Sequence, residues 1–524
     1  MKDLFKSDAI LLFVSLLALS FVYCKNALHM FQQNRYEFKR YTNWLFDLKR
    51  FKLDLLVVYF IFLLIAFLLR TKINVIVVII ITIIYAIYTI YKEDKVQYIK
   101  PLVYTGRVKR QVVFYTLLMI ICDYLLARFV NPYLTFVLAV IMPYLIIYLV
   151  ALLTWPIEEA IKAKYKNEAM KVLRTYDDLK IVGVTGSYGK TTTKNVIKDI
   201  IEDKYFTLIT PASFNTPMGI TRTIREYLKP SHEVFICEMG ADHVGEITNL
   251  MKFVRPQIGI VTSIGPQHLN TFGSLDNIIN EKMQEIELLP SDGLGIINID
   301  NQYIKNYKIR NNCKILTVGI ENENADYLAY DLKYSKNGSS FKVKLHGRTY
   351  KFNTILLGAH NIVNVLCGIA LADYFGIEPK DIVKGVENIK QVEHRLQLKD
   401  LGGFTFIDNA FNSNPVGCKY ALDVLSMMDG KKIIVTPGLI DLGSKENDYN
   451  YEFGKYMKDK ADFVILVGEK NSAYVYKGAL AAGFEKENIL VVNNVKEAFN
   501  YIYTHFTKKD TILLENDLPD AFLH

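Results

Sequence analysis

The sequence predicts an α-helical membrane domain followed by an α/β portion. Three observations carry this. Five long apolar runs crowd the first 155 of 524 residues. Residues 180–193, KIVGVTGSYGKTTT, join an apolar run, three glycines, a lysine and three threonines. Beyond them, short apolar strands alternate with helical stretches, the pattern of a largely parallel sheet.

The apolar runs cover about 8–24, 53–69, 73–91, 111–130 and 133–154, each close to the roughly 17–25 residues a spanning helix needs. A buried soluble helix would not recur five times at this length. Lys2 and Lys6 precede the first run as in a signal peptide, but no small-residue cleavage site follows Cys24 and four further runs do. Segment 25–52 carries Lys25, Arg35, Lys39, Arg40, Lys49, Arg50 and Lys52, and segment 92–110 carries Lys92, Lys95, Lys100, Arg107, Lys109 and Arg110. Basic loops stay in the cytoplasm, so the short connections 70–72 and 131–132 face outward and everything after Trp155 faces inward. The expected location is the plasma membrane, multi-pass, with the domains that follow the apolar runs cytoplasmic. Asp123 and Arg128 stand within the fourth run, where charges are costly: they are functional, or they pair with each other or snorkel near a helix end.

The net charge of +8 gathers between the apolar runs, without the basic and aromatic interleaving of a nucleic-acid groove, so no nucleic-acid partner is expected. Six scattered cysteines without a C-x-x-C pair fit neither zinc nor a disulfide framework. The spacing predicts four segments: a membrane domain over 1–155, an amphipathic connecting helix over 156–176, a central domain over 177–390 and a smaller domain over 391–524. The connecting helix shows Ile157, Ile161, Tyr165, Ala169, Val172, Leu173 and Tyr176 at helical spacing, as on a membrane surface. Strands are expected at 234–237, 258–261 and 295–299, with a β-rich lobe over 313–357. In the last domain they are expected at 404–407, 432–436, 463–467, 489–492 and 511–514, a Rossmann-like succession.

The loop after the first strand has the chemistry of a phosphate cradle. Glycines let backbone N–H groups close around phosphate oxygens, a helix N-terminus adds positive dipole, Lys190 reaches the β and γ phosphates, and the Thr191 hydroxyl can ligate Mg²⁺. The general pattern G-x-x-x-x-G-K-[ST] is not met, because Val184 takes its first position. What stands instead, G-x-T-G-S-x-G-K-T-T, resembles the ATP loop of the Mur ligases, the ATP-dependent amide-forming enzymes of cell-wall peptide assembly.

Further strings resemble that family in its order, over about 178–520. The resemblance implies a P-loop central domain and a Rossmann-like C-terminal domain. In the loop it implies ATP binding by Gly186, Ser187, Gly189, Lys190, Thr191 and Thr192. ICEMGADHVGEI places Glu238 at a strand end as a Mg²⁺ carboxylate. GPQHLNTFGS gives His268 near a second metal. NEKMQEI gives Lys282, the family's carbamate-bearing lysine, preceded here by Glu281 where the family more often has Ala. GAHNIVNVLCGIALA brings Asn361 and Asn364 to the base. EHRL gives Arg395 to the nucleotide, and IDNAFNSNPVG gives Asp408 to the ribose, with Phe411 in place of the usual Tyr. Asn215, Thr216, Asn412 and Asn414 are expected on the substrate side.

The resemblance implies ligation: a carboxylate takes the γ-phosphoryl group of ATP and an amine then displaces phosphate. The family's soluble members begin with a domain that grips a UDP-sugar, and apolar runs stand in its place here. The carboxylate is therefore expected on a lipid-linked precursor, with an amino acid or dipeptide as the amine. A poly-γ-glutamate or capsule-type ligase is an alternative, as is a transport or regulatory ATPase. An odd number of spans, no internal repeat and ligase-type strings beyond the nucleotide loop weigh against transport.

Overall fold

The computed structural model describes residues 7–46, 75–93, 95, 101–130, 132–411, 413–440 and 442–516. Two compact units divide at Ala163 and Lys164.

The first unit is helical: Ser7–Gln33, Phe38–Leu45, Val75–Glu93, Gly106–Phe129 and the greater part of Pro132–Thr175. Among the described residues, three helical stretches are long and apolar enough to cross a membrane: Ile10–Gln33, Gly106–Phe129 and Leu138–Thr175. A fourth, Ile79–Lys92, is apolar and shorter. The run expected over 53–69 and the connection 70–72 lie outside the described residues, as does position 131. Long Ile, Leu and Val runs satisfy their backbone groups internally only as helices, which is what lipid demands. Aromatic side chains pack this bundle, Phe31 against Tyr41 at 5.3 Å and Phe38 stacked on Tyr148 at 5.7 Å. Asp123 and Arg128 do not share an environment: Asp123 is buried and receives the Ser20 hydroxyl at 3.2 Å, whereas Arg128 is exposed with its guanidinium 5.4 Å from the Phe129 ring.

Residues 156–175 are helical but not a separate helix. They continue a 44-residue helix from Pro132, with Pro143 and Pro156 inside it. Each proline removes one backbone donor, yet neither ends the helix. Only the far end of the amphipathic part buries its apolar face in protein: Ala169 and Leu173 are buried with Leu179, Ile224 and Phe253, whereas Ile157 is exposed.

The second unit holds two sheets. The first runs in the order β2 (Thr207–Ile209), β3 (Val234–Glu238), β1 (Lys180–Thr185), β4 (Ile258–Val261), β5 (Leu294–Asn298), β6 (Lys314–Gly319), β7 (Tyr327–Ser335), β8 (Gly338–Leu345) and β9 (Arg348–Thr354). It is parallel as far as β7 and antiparallel from there. Alternation along β1 sends Val182 and Val184 to one face and Ile181 to the other. Helices Lys190–Ile201 and Ala359–Tyr374 cover the first face through Val196, Ile197, Leu366 and Ile369, and Glu246–Val254 and Leu275–Glu287 cover the second through Leu250, Met283 and Ile286. The second sheet has the order β10 (Gln397–Leu401), β11 (Phe404–Asn409), β15 (Thr511–Glu515), β12 (Lys432–Thr436), β13 (Phe463–Val467) and β14 (Ile489–Val492), parallel except for β10.

Candidate active site

The phosphate loop is a backbone device. Gly186 and Gly189 have φ of +144° and +83°, which a side chain rarely tolerates. A Cβ on Gly189 would also stand 2.6 Å from Asn364 Oδ1. The loop is pinned to the segment after β4: the Ser187 amide donates to the Ser263 carbonyl at 2.7 Å, the Ser187 hydroxyl to the Gly265 carbonyl at 3.0 Å, and the Thr262 hydroxyl to the Tyr188 carbonyl. Lys190 Nζ folds back to the Gly186 and Ser187 carbonyls at 2.6 and 3.2 Å. Burial, reinforced by Arg395 and opposed by Glu238, lowers its ammonium pKa to about 8. Phosphate oxygens would restore the charge by supplying the missing counter-ions.

Glu238 ends β3 in register with Val184, which brings its carboxylate to the loop. Thr191 Oγ1 donates to Oε2 at 3.0 Å, and Asn215 Nδ2 to Oε1 at 3.0 Å. Lys194, one helical turn beyond Lys190, places Nζ 2.9 Å from Oε2, both side chains being 1 % exposed. Burial by itself would raise this carboxyl. The Lys194 and Lys190 ammonium groups and the bonds from Lys194 and Asn215 outweigh it and hold the carboxyl below its usual range. A hydroxyl and an ionised carboxylate converging at 3.0 Å form the hard-oxygen donor set that Mg²⁺ takes together with phosphate oxygens.

Around the loop, one cavity is lined by Ser187, Gly189, Lys190, Thr191, Thr192, Asn215 and Glu238 from the first sheet's edge, and by Asn361 and Asn364 from the helix Ala359–Tyr374. Arg395, Phe411 and Asn414 close it from the second sheet. The two helix asparagines are tied to each other at 3.2 Å, and Thr193 donates to Asn364 at 3.1 Å. Arg395 donates to the Phe411 carbonyl at 2.9 Å with its guanidinium over the Phe411 ring. Asn414 Oδ1 accepts the Gly417 amide at 2.7 Å and so starts the next helix. His360, also on the wall, stacks on Tyr420 and is kept neutral by burial, its pKa falling to about 4.

Other expected site residues stand off this wall. Gly186 lies beneath it as backbone. Thr216 caps the helix Pro217–Tyr227, accepting the Gly219 amide at 3.3 Å. His268 caps the short helix Leu269–Phe272 through its carbonyl. Asp408 is held in the β10–β11 hairpin by Lys399 at 2.5 Å and His394 at 2.8 Å, and Asn412 lies outside the described residues. Lys282 is buried, donates to the Ala241 carbonyl at 2.9 Å, and has its pKa lowered to about 7 by burial first and repulsion from Lys190 second. Its neighbour Glu281 accepts the Gly245 and Ile247 amides at 2.7 and 2.6 Å. That unusual residue is thus a helix cap. Sequence reasoning passed over Lys194, though its four-residue spacing from Lys190 was visible. It also passed over Glu285, whose carboxyl lies fully buried against Gly183 without a hydrogen-bond partner among the described residues.

A parallel sheet presenting a phosphate loop, a lysine and a hydroxyl–carboxylate pair, with a second doubly wound sheet closing the cavity, defines a phosphate-loop nucleotide enzyme. Residues 184–372 match the Mur ligase middle domain and residues 394–515 the Mur ligase glutamate ligase domain. The UDP-N-acetylmuramoyl-tripeptide–D-alanyl-D-alanine ligase of Bacillus subtilis (strain 168) is 32 % identical over 340 residues, 64 % of this chain and 72 % of the relative. Its Escherichia coli (strain K12) counterpart is 27 % identical over 60 % of this chain and 70 % of its own. The MurF structure of Acinetobacter baumannii superposes with a TM-score of 0.62 at 24 % identity, covering 69 % of this chain and 78 % of that one. MurF of Thermotoga maritima in complex with ADP does so at 0.62 and 20 %, covering 69 % and 81 %. The chain belongs to the Mur ligase family and is an ATP-dependent amide ligase.

Proposed function

We propose that this chain is a membrane-anchored, MurF-like ligase that joins an amine to a lipid-linked carboxylate through an acyl phosphate. The observation that carries the reading is the meeting of Lys190, Thr191 and Glu238 on one cavity wall with Arg395 and Asn414 on the facing side. A carboxylate oxygen attacks the γ-phosphorus of ATP, and ADP leaves. The amine nitrogen then attacks the acyl carbon, loses a proton, and inorganic phosphate leaves. Lys190 and Arg395 supply positive charge where the transferring phosphoryl group gathers negative charge. Thr191 and Glu238 would hold Mg²⁺, which supplies Lewis-acid charge neutralisation on the phosphates. Closure of the second sheet's loops keeps water from the acyl phosphate.

Lys282 fits a carbamate. A pKa near 7 leaves a large share of its amine neutral at physiological pH, and only the neutral amine adds to CO₂, forming an N–C bond and losing a proton. The anion produced would convert its repulsion with Lys190 into attraction. Protein equilibrated with carbon-13 CO₂ should show a carbamate resonance that Lys282→Met lacks, and a wild-type spectrum without it removes the modification.

The lipid link is supported by the apolar helices that precede the ligase unit, because a substrate confined to the same membrane has a raised effective concentration. The acyl phosphate has its own test. With oxygen-18 in the substrate carboxylate, one labelled oxygen should appear in the released phosphate, and unlabelled phosphate would exclude the intermediate.

A further inference from the structure

The helical unit carries polar side chains that the ligation chemistry does not use. On the helix Gly106–Phe129, Arg107, Gln111, Tyr115, Met119 and Asp123 recur every four residues, so each neighbours the next on a stripe that winds slowly round the helix. Beyond Arg107 the stripe is turned inward: Gln111, Tyr115 and Asp123 are 0 % exposed. Tyr115 donates to the Pro143 carbonyl at 2.7 Å and Asp123 receives Ser20. Gln111 has no such partner among the described residues: both its amide atoms, and Arg107 Nε, are buried there without a hydrogen bond. An unmet buried polar group is costly, and inward-facing polar groups among apolar helices mark ligand or ion sites.

The surroundings select the ligand. Arg107 lies over the Tyr36 ring, 3.8 Å from guanidinium carbon to centroid, so its plane is set. It stands in the first turn of its helix, behind the Thr105 cap, where the dipole adds positive charge. The acidic groups nearby already have cations: Glu158 takes Arg110 at two points, 2.7 and 2.8 Å, and Glu159 takes Lys162 at 2.7 Å. What remains is a guanidinium N–H and an amide that donates and accepts. Arg107 also belongs to the basic segment expected at the cytoplasmic surface, the depth of lipid phosphates.

We propose that Arg107 and Gln111 bind the phosphate or diphosphate group of a membrane lipid. Arg107 and the Gln111 N–H donate to phosphate oxygens, and the Gln111 carbonyl accepts from a hydroxyl or amide of the same headgroup. On the proposed function this group is the lipid carrier of the carboxylate substrate. The inference rests on that reading for the carrier's role, not for the anion chemistry.

The test uses the full-length protein in bilayer discs of phosphatidylcholine, titrated with phosphatidic acid, with diacylglycerol of the same tails, and with inorganic diphosphate. Saturable binding of phosphatidic acid alone is expected, weakened at least tenfold in Arg107→Met/Gln111→Leu while ADP binding is unchanged. Gln111→Glu, which keeps the shape and adds negative charge, should weaken it as well and serves if the double variant does not assemble. Equal affinity in wild type and variants, or equally tight binding of free diphosphate, overturns the site. Lost lipid binding in the variants with intact ligation of a lipid-linked carboxylate keeps the anion site, overturns its role in holding the carrier and leaves the proposed function standing. Intact lipid binding without ligation supports the site and removes that function.

Discussion

Lys190 sets the charge at the phosphate loop, where burial lowers its ammonium pKa to about 8 against the opposing Glu238 carboxylate. Lys190→Ala should cut ATP-dependent ligation by several orders of magnitude, measured as ADP release, since phosphoryl transfer depends on such clamps. Near-normal turnover would take the loop out of the mechanism. Glu285 permits a sign-specific test of stability. Burial raises its carboxyl pKa to about 8, with Lys282 opposing. In the folded state it therefore keeps a proton that the unfolded chain releases above its ordinary pKa of 4.5. Its contribution to stability is greatest below pH 4.5 and is lost as pH rises to about 8. Glu285→Gln should match wild type at the acid end and exceed it in thermal midpoint near pH 8. A constant difference across that range would show that the carboxyl does not titrate there. Lys190, Thr191 and Glu238 were legible because a strand, a loop and a helix start fix their meeting. Lys194 was legible only as a four-residue spacing from Lys190, which does not show that a buried lysine meets the Glu238 carboxylate, and Glu285 was not legible, because a buried acid leaves no period or motif.

At the scale of elements, the junction between the loop and the helix Lys190–Ile201 rests on Gly189. Gly189→Ala must hold a side chain at φ +83° and push Asn364 aside. A loss of about 1–2 kcal/mol in stability is expected, together with a raised KM for ATP, because the same backbone cradles the phosphates. An unchanged KM would show that the loop reshapes freely. Strands β3, β4, β11, β12 and β13 were legible as apolar runs between turn signals. The three-residue β2 was too short to show a period. The edge strand β10, QLKDL, is polar and held by its hairpin register with β11. The continuation of the last apolar helix to Thr175 was hidden by Pro156, which reads as a boundary but costs only one bond inside a long helix.

For the whole molecule, the claim is that ATP chemistry and a lipid-linked reactant meet on the cytoplasmic side. Cysteines placed at Thr71 and Asn131 should react with an impermeant thiol reagent added outside, and cysteines within 25–46 should not. The reverse pattern would put the nucleotide site on the wrong side of the membrane. The most direct measurement gives the full-length protein, in bilayers with ATP and a dipeptide amine, either a lipid-linked or a soluble UDP-linked peptide carboxylate, and follows ADP and amide together. The account predicts equal amounts of amide and ADP with the lipid-linked peptide, at least tenfold faster than with the soluble one, and neither product when peptide or amine is left out. ADP release that is indifferent to both reactants would contradict it.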